Sequence, residues 1–167
     1  MVKQSFIYGA VLTFLGCILH IAIIIGGPEW YLASGAGENM AKLAETGSIY
    51  PAFIGVILVC IFFGWSLYAL SGAGVIRRLP FLKECLILIS ALCMVRGLYG
   101  FFVPFLFDSP YVASLGVWFW VYSSTIWLVI GLFYAAGLAS RWSYISDKKQ
   151  SRKLKKDRQV EQCAQLD

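Results

Sequence analysis

Four apolar stretches, at about 5–26, 50–72, 82–107 and 111–140, fix most of what this chain can fold into. Each meets the roughly 20 residues that about 30 Å of hydrocarbon requires of a helix. The last two are long enough to tilt, or to extend past a bilayer. Hydrocarbon offers no partner to a backbone amide, so each stretch is expected to be helical. Composition agrees. Apolar residues are 59% of the 167 and charged residues 14%, against roughly 45–50% and 25% in soluble domains. Disorder, collagen and a small disulfide scaffold are excluded. The expected fold is all-α: a polytopic, up-down-up-down four-helix transmembrane bundle over 1–140, followed by a basic tail over 141–167. The first stretch is too long for the apolar core of a secretory signal, and no small-residue cleavage site follows, so an uncleaved span is expected.

Charge sets the orientation. Lys3 precedes the first span. Arg77, Arg78 and Lys83 lie between spans two and three, and Arg141, Lys148, Lys149, Arg152, Lys153, Lys155, Lys156 and Arg158 follow span four. These alternate sides hold 12 of the 14 cations, while the opposite loops hold only Lys42. The positive-inside rule then places both termini in the cytoplasm. The net charge of +5 is therefore a membrane signature, and no nucleic-acid partner is expected. The seven tail cations are candidate contacts for anionic lipid headgroups, at about 1 kcal/mol each near the surface. Trp30, Tyr31, Tyr50, Tyr111 and Trp118 are expected to form the outer aromatic belt, and Trp142 and Tyr144 the inner one.

The longest connection, 27–49, carries a short helix signal from Gly37 to Gly47. Glu38, Lys42 and Glu45 share one face, and Met40, Leu43 and Ala44 another, as in a helix lying on a membrane surface. The inner turn, 71–80, is glycine-rich and basic, and Pro80 suits a helix start. It lacks the spacing of a nucleotide-binding loop. A weak internal repeat pairs Cys17-x-x-His20 with Cys93-x-x-Arg96, and Tyr50-x-Ala52-x-x-Gly55-Val56 with Tyr111-x-Ala113-x-x-Gly116-Val117.

Residues 41–52, Ala-Lys-Leu-Ala-Glu-Thr-Gly-Ser-Ile-Tyr-Pro-Ala, and 64–80, Gly-Trp-Ser-Leu-Tyr-Ala-Leu-Ser-Gly-Ala-Gly-Val-Ile-Arg-Arg-Leu-Pro, resemble an uncharacterised family of small four-span bacterial inner-membrane proteins. The resemblance covers roughly 1–107. It implies a bacterial inner membrane, with the outer loops in the periplasm, and it implies no activity.

Arg96 is the most informative residue. It sits about 21 Å from the inner end of its span and about 16 Å from the outer end. Such a depth costs at least about 2.5–3.5 kcal/mol, and a side chain reaching about 6 Å cannot fully snorkel from it. No acidic residue lies near mid-span; Glu84 stands at the inner end of the same span, about three turns from Arg96. Satisfaction must come from carbonyls, from hydroxyls such as Ser123, Ser124 or Thr125, from a loop carboxylate such as Glu45, or from an anionic ligand. His20, the single histidine, lies about 9 Å below the outer end of span one. Together Arg96, His20, Glu45, Ser123, Ser124 and Thr125 make a candidate ligand site opening to the periplasm. The plain alternative is structural: interhelical glue at Arg96 and a packing histidine at His20.

Cys17, Cys60 and Cys93 share a layer about 16–18 Å from the inner end, but a free buried cysteine usually behaves as a small hydrophobe. No metal or cofactor is expected. Gly64-Trp65-Ser66 suggests an intramembrane serine nucleophile, but Ser66 and His20 differ in depth by roughly 13 Å, beyond hydrogen-bond reach. Ser66 is expected to bond a carbonyl within its own helix. With no nucleophile–base pair and no paired carboxylates in the spans, an enzyme is the least favoured reading. The favoured one is a non-catalytic binder or transporter of a lipid-like or anionic small molecule. The alternative is an accessory subunit packing against a larger membrane complex. Expected partners are membrane lipids, with another membrane protein or a second copy as the other class. Contact there would run through the glycine-rich faces of Gly9 and Gly16, Gly55, Gly97 and Gly100, and Gly131 and Gly137.

Overall fold

The computed structural model describes residues 4–107 and 110–146. Among these residues there are six helices and no strand. Four are long: α1 (Gln4–Gly26), α4 (Tyr50–Ala73), α5 (Leu82–Leu106) and α6 (Pro110–Ser146). Two are short, α2 (Pro28–Ala33) and α3 (Glu38–Glu45). All four long helices are long and apolar enough to cross a membrane. Only 22–39% of the most apolar window of each is buried inside the chain. In water so much exposed apolar surface would aggregate; facing hydrocarbon it is satisfied.

Local chemistry sets the helix ends. Pro28 and Pro51 sit in the first turns of α2 and α4, where the missing amide is no loss. Gly74 ends α4 in the left-handed conformation, its amide donating to the Leu70 and Ser71 carbonyls. Across the turn Ser71 Oγ donates to the Arg77 carbonyl at 3.1 Å and accepts from the Leu79 amide at 3.0 Å. Phe81, not Pro80, is the N-cap of α5, and it too is left-handed.

The bundle is built from two pairs. α1 packs chiefly on α4, and α5 on α6; α1 against α6 and α4 against α5 join the pairs. The shared core includes Phe6, Leu86, Cys93 and Tyr134, and all four long helices contribute to it. Hydroxyl bonds lock the helices across these seams. Tyr134 donates to the Trp65 carbonyl at 2.9 Å and lies 3.4 Å from Thr13 Oγ. Ser90 donates to the Gly131 carbonyl at 3.2 Å. Ser66 donates to the Ala10 carbonyl on α1 at 3.0 Å. That corrects the expectation of a bond within its own helix; Ser66 faces the α1 seam, where a neighbouring carbonyl is within reach.

The α2–α3 connection caps one end. Ala41, with Met40 and Ala44 beside it, packs on Ile23 and Tyr31. Leu43 is exposed, so the buried face of α3 is rotated from the expected Met40–Leu43–Ala44 face. The cap rests on the bundle rather than only on a surface plane. Tyr31, expected in the aromatic belt, is 6% exposed, and burial raises its phenol above the usual tyrosine range. Trp30, Tyr50, Tyr111 and Trp118 are exposed as a belt requires. At the opposite end Arg78 donates to the Ile145 carbonyl, Arg141 to the Ala73 carbonyl, and Lys83 stands 4.5 Å over the exposed Trp142 ring. Lys3, Asp108, the Tyr144 side chain and the tail cations Lys148, Lys149, Arg152, Lys153, Lys155, Lys156 and Arg158 lie outside what is described.

α6 is not continuous. At Gly116 (φ 73°, ψ 156°) the backbone leaves the helix, and only glycine takes that conformation readily. The segment 110–115 is thereby redirected. Its Val112 and Leu115 pack with Val103 of α5 and Trp120, and Tyr111 donates to the Gly35 carbonyl in the α2–α3 linker.

Candidate functional site

Among the described residues, three buried side-chain polar atoms have no hydrogen-bond partner: Arg96 Nη1, Trp120 Nε1 and Ser124 Oγ. All three belong to one place on the α5–α6 seam. Trp120, Ser123 and Ser124 are spaced i, i+3, i+4 on α6, so they share a face. Arg96 Cζ stands 5.7 Å from the Trp120 ring centroid, and Arg96 Nη2 donates to Ser123 Oγ at 3.5 Å, the outer limit of such a bond. One turn beyond Arg96 is Gly100. A Cβ there would overlap both Arg96 Nη1 and Ser124 Oγ. Both atoms therefore lie over the bare Cα of Gly100, and the absent side chain makes their room. Gly97 brings the helices close enough, its Cα packing on the Leu128 backbone.

The electrostatics are one-sided. Arg96 makes no ion pair with a described residue; the ionisable groups acting on it are the Tyr111 and Tyr99 hydroxyls. Ser124 is fully buried and Trp120 is 9% exposed. Each unpaired buried polar group costs about 1–3 kcal/mol, more where charge is involved. Among the described residues the seam thus holds a cation and further donors with no anionic group opposite them.

The six expected site residues divide. Arg96, Ser123 and Ser124 come together. Thr125, one residue further round α6, donates to the Val121 carbonyl at 2.8 Å and is exposed. Glu45 is exposed at the end of α3. His20 belongs to the other helix pair. Its Nδ1 lies 2.7 Å from the Gly16 carbonyl, and its ring stacks on Phe62 of α4, centroids 4.9 Å apart. Depth places His20 and Arg96 both in the outer half; the helix pairing gives them different neighbours. Ser66 is bonded to Ala10, so no Ser–His dyad forms. Cys17 and Cys93 are buried and Cys60 is exposed, and no cluster of metal-ligating residues forms among the described residues. Trp120 was missed by sequence reasoning; its spacing from Ser123 and Ser124 was the available signal.

No family model matches the chain, and neither a curated protein nor a solved structure is found similar to it.

Proposed function

We propose that this chain is a multi-pass membrane protein that binds, or helps to move, a lipid-like or anionic small molecule without catalysing a reaction. The binding group is Arg96 with Trp120, Ser123 and Ser124. One observation carries the reading: the three unpartnered buried polar atoms of the described chain gather at one arginine. An isolated buried charge is strongly unfavourable, and an anion held by several donors relieves it. Structural glue is the weaker account, because glue would leave these donors bonded, as Ser66, Ser90 and Tyr134 are.

The distribution of Lys and Arg supports a membrane orientation with both termini in the cytoplasm. The resemblance over 1–107 supports a bacterial inner membrane. The end capped by α2 and α3 then faces the periplasm, and Arg96, 10 residues from the end of α5, lies in the periplasmic half.

The experiment is native mass spectrometry of the protein extracted in lipid particles, wild type beside Arg96→Leu. The expected result is a small anionic mass on the wild type that is absent from the variant. The same spectra test the accessory-subunit reading, which the exposed, stacked Trp118–Tyr122 pair on α6 favours. A stoichiometric protein partner retained by both forms, with no small ligand on either, overturns the binding proposal.

A further inference from the structure

The charge and the donor count at Arg96 constrain what can sit there. Nη1 carries two N–H groups, Trp120 Nε1 one, and Ser124 Oγ one O–H, and each of these atoms is unpartnered. That makes four donor hydrogens, of which one guanidinium supplies the only positive charge. Two equivalent oxygens sharing one negative charge present about four lone-pair sites. A carboxylate and a phosphodiester both have this form. A phosphomonoester carries about −1.5 to −2 and three such oxygens, which one arginine leaves uncompensated in a low-dielectric seam.

The surroundings decide how the ligand arrives. Arg96 itself is only partly buried. Flanking it outward are Leu92, Val95 and Tyr99 of α5 and Tyr122 and Ile126 of α6, each between 48% and 65% exposed. These belong to the apolar faces that the four spans turn toward hydrocarbon. A molecule reaching the guanidinium along this seam keeps the rest of its body against apolar and aromatic side chains. A small hydrated anion would have to shed its water crossing the same surface.

We propose, resting on the binding function above, that the ligand is a singly charged amphiphile. Its carboxylate or phosphodiester bridges Arg96 Nη1, Trp120 Nε1 and Ser124 Oγ, the first and last of which fill the room over Gly100, and its apolar tail lies along the α5–α6 seam in the bilayer. The shared chemistry is one anionic group with two acceptor oxygens. A free acid and a phospholipid are its two sources.

The test uses the full chain, delipidated in neutral detergent and titrated separately with oleate, dioleoyl phosphatidylglycerol, dioleoyl phosphatidic acid, acetate and inorganic phosphate. Bound mass is read by native mass spectrometry, and thermal unfolding is read in parallel. Oleate, phosphatidylglycerol or both are expected to bind and to raise the unfolding temperature. Affinity should fall by about tenfold or more in Arg96→Gln and in Ser124→Ala, since each removes a hydrogen bond to the ligand's charged group. Gly100→Ala should abolish binding by displacing Arg96 Nη1 and Ser124 Oγ, which its Cβ would overlap, and Thr125→Ala should leave it unchanged. Binding of oleate alone identifies a free acid, and of phosphatidylglycerol alone a phosphodiester. If phosphatidic acid binds more tightly than both, or acetate or phosphate binds as well as oleate, the singly charged amphiphile is overturned while an anion site at Arg96 stands. If no anion binds in an Arg96-dependent way, this proposal and the function beneath it fall together.

Discussion

Ser124 and Tyr134 are both buried hydroxyls on α6, yet their situations differ. Tyr134 donates to a carbonyl across a seam; Ser124 is wholly buried and donates to nothing. Removing a satisfied buried donor and removing an unsatisfied one have opposite signs. Tyr134→Phe is expected to destabilise the ligand-free protein by about 1 kcal/mol. Ser124→Ala should leave its stability unchanged or raise it by about 1 kcal/mol, while weakening ligand binding. Unfolding of both variants in one detergent checks this, and an equal loss from both would mean that Ser124 is bonded after all. A residue that harms stability and serves binding is the pattern expected of a site. At this scale the sequence was half legible. Arg96 stood out because a charge inside an apolar run has no ordinary reason to be there. Trp120 did not, because α6 carries other tryptophans at Trp118 and Trp127 and hydropathy treats them alike. Residue counting groups His20 with Arg96 because it yields depth alone, whereas the direction around a helix axis decides neighbours. Thr125 was included for the same reason: one residue past Ser124 is a turn of about 100°, and that carries its hydroxyl to the outer face.

The ends of the long helices were legible within a residue or two, except at the far end of α6, because proline, glycine and the change in polarity mark them. The break at Gly116 was not. Hydropathy is blind to backbone direction, and a glycine inside an apolar run reads as a packing glycine. Its partner in the weak repeat, Gly55, is indeed helical and packs on Ile24. Gly116 instead has open space where a Cβ would stand and a conformation that side chains rarely adopt. Its consequence is positional: 110–115 folds over α5, and Tyr111 reaches the α2–α3 linker. Gly116→Ala should cost about 1–3 kcal/mol if the break persists. The strain is relieved if α6 runs straight, which withdraws the Tyr111 hydroxyl from Gly35. The expected outcome is faster amide hydrogen exchange over 34–37 than in wild type. Gly64→Ala is the control: residue 64 is helical with open space around it, so exchange in the linker should not change. Equal exchange in all three proteins would mean that the linker is held by its other contact, Phe119 against Gly35.

The start of α1, the end of α4 and the far part of α6 meet at one end of the bundle, and the fold gathers charge by end. Arg78, Lys83 and Arg141 come from three separate segments and meet the α4–α5 turn and the far end of α6 through backbone carbonyls and the Trp142 ring. The other end carries the α2–α3 cap, where the exposed Lys42–Glu38 pair lies 3.4 Å apart. Such an exposed pair adds little stability, so the cap holds by packing on Ile23 and Tyr31. Hydropathy counting could read the number of spans and the charge asymmetry. It could not read which helices pair, because every face of these helices is apolar and none points inward by pattern alone; small residues and hydroxyls choose the seams. Orientation is therefore the whole-molecule prediction. In a chain whose Cys85 and Cys163 are replaced by serine, Glu45→Cys should react with a membrane-impermeant maleimide added to intact bacterial spheroplasts. Arg77→Cys should react only after permeabilisation. Both positions are exposed at opposite ends of the bundle, so accessibility within the protein does not confound the result. The reverse labelling would invert the molecule. Arg96 would then lie in the cytoplasmic half, and an amphiphile held there would be drawn from the inner leaflet rather than from the outer.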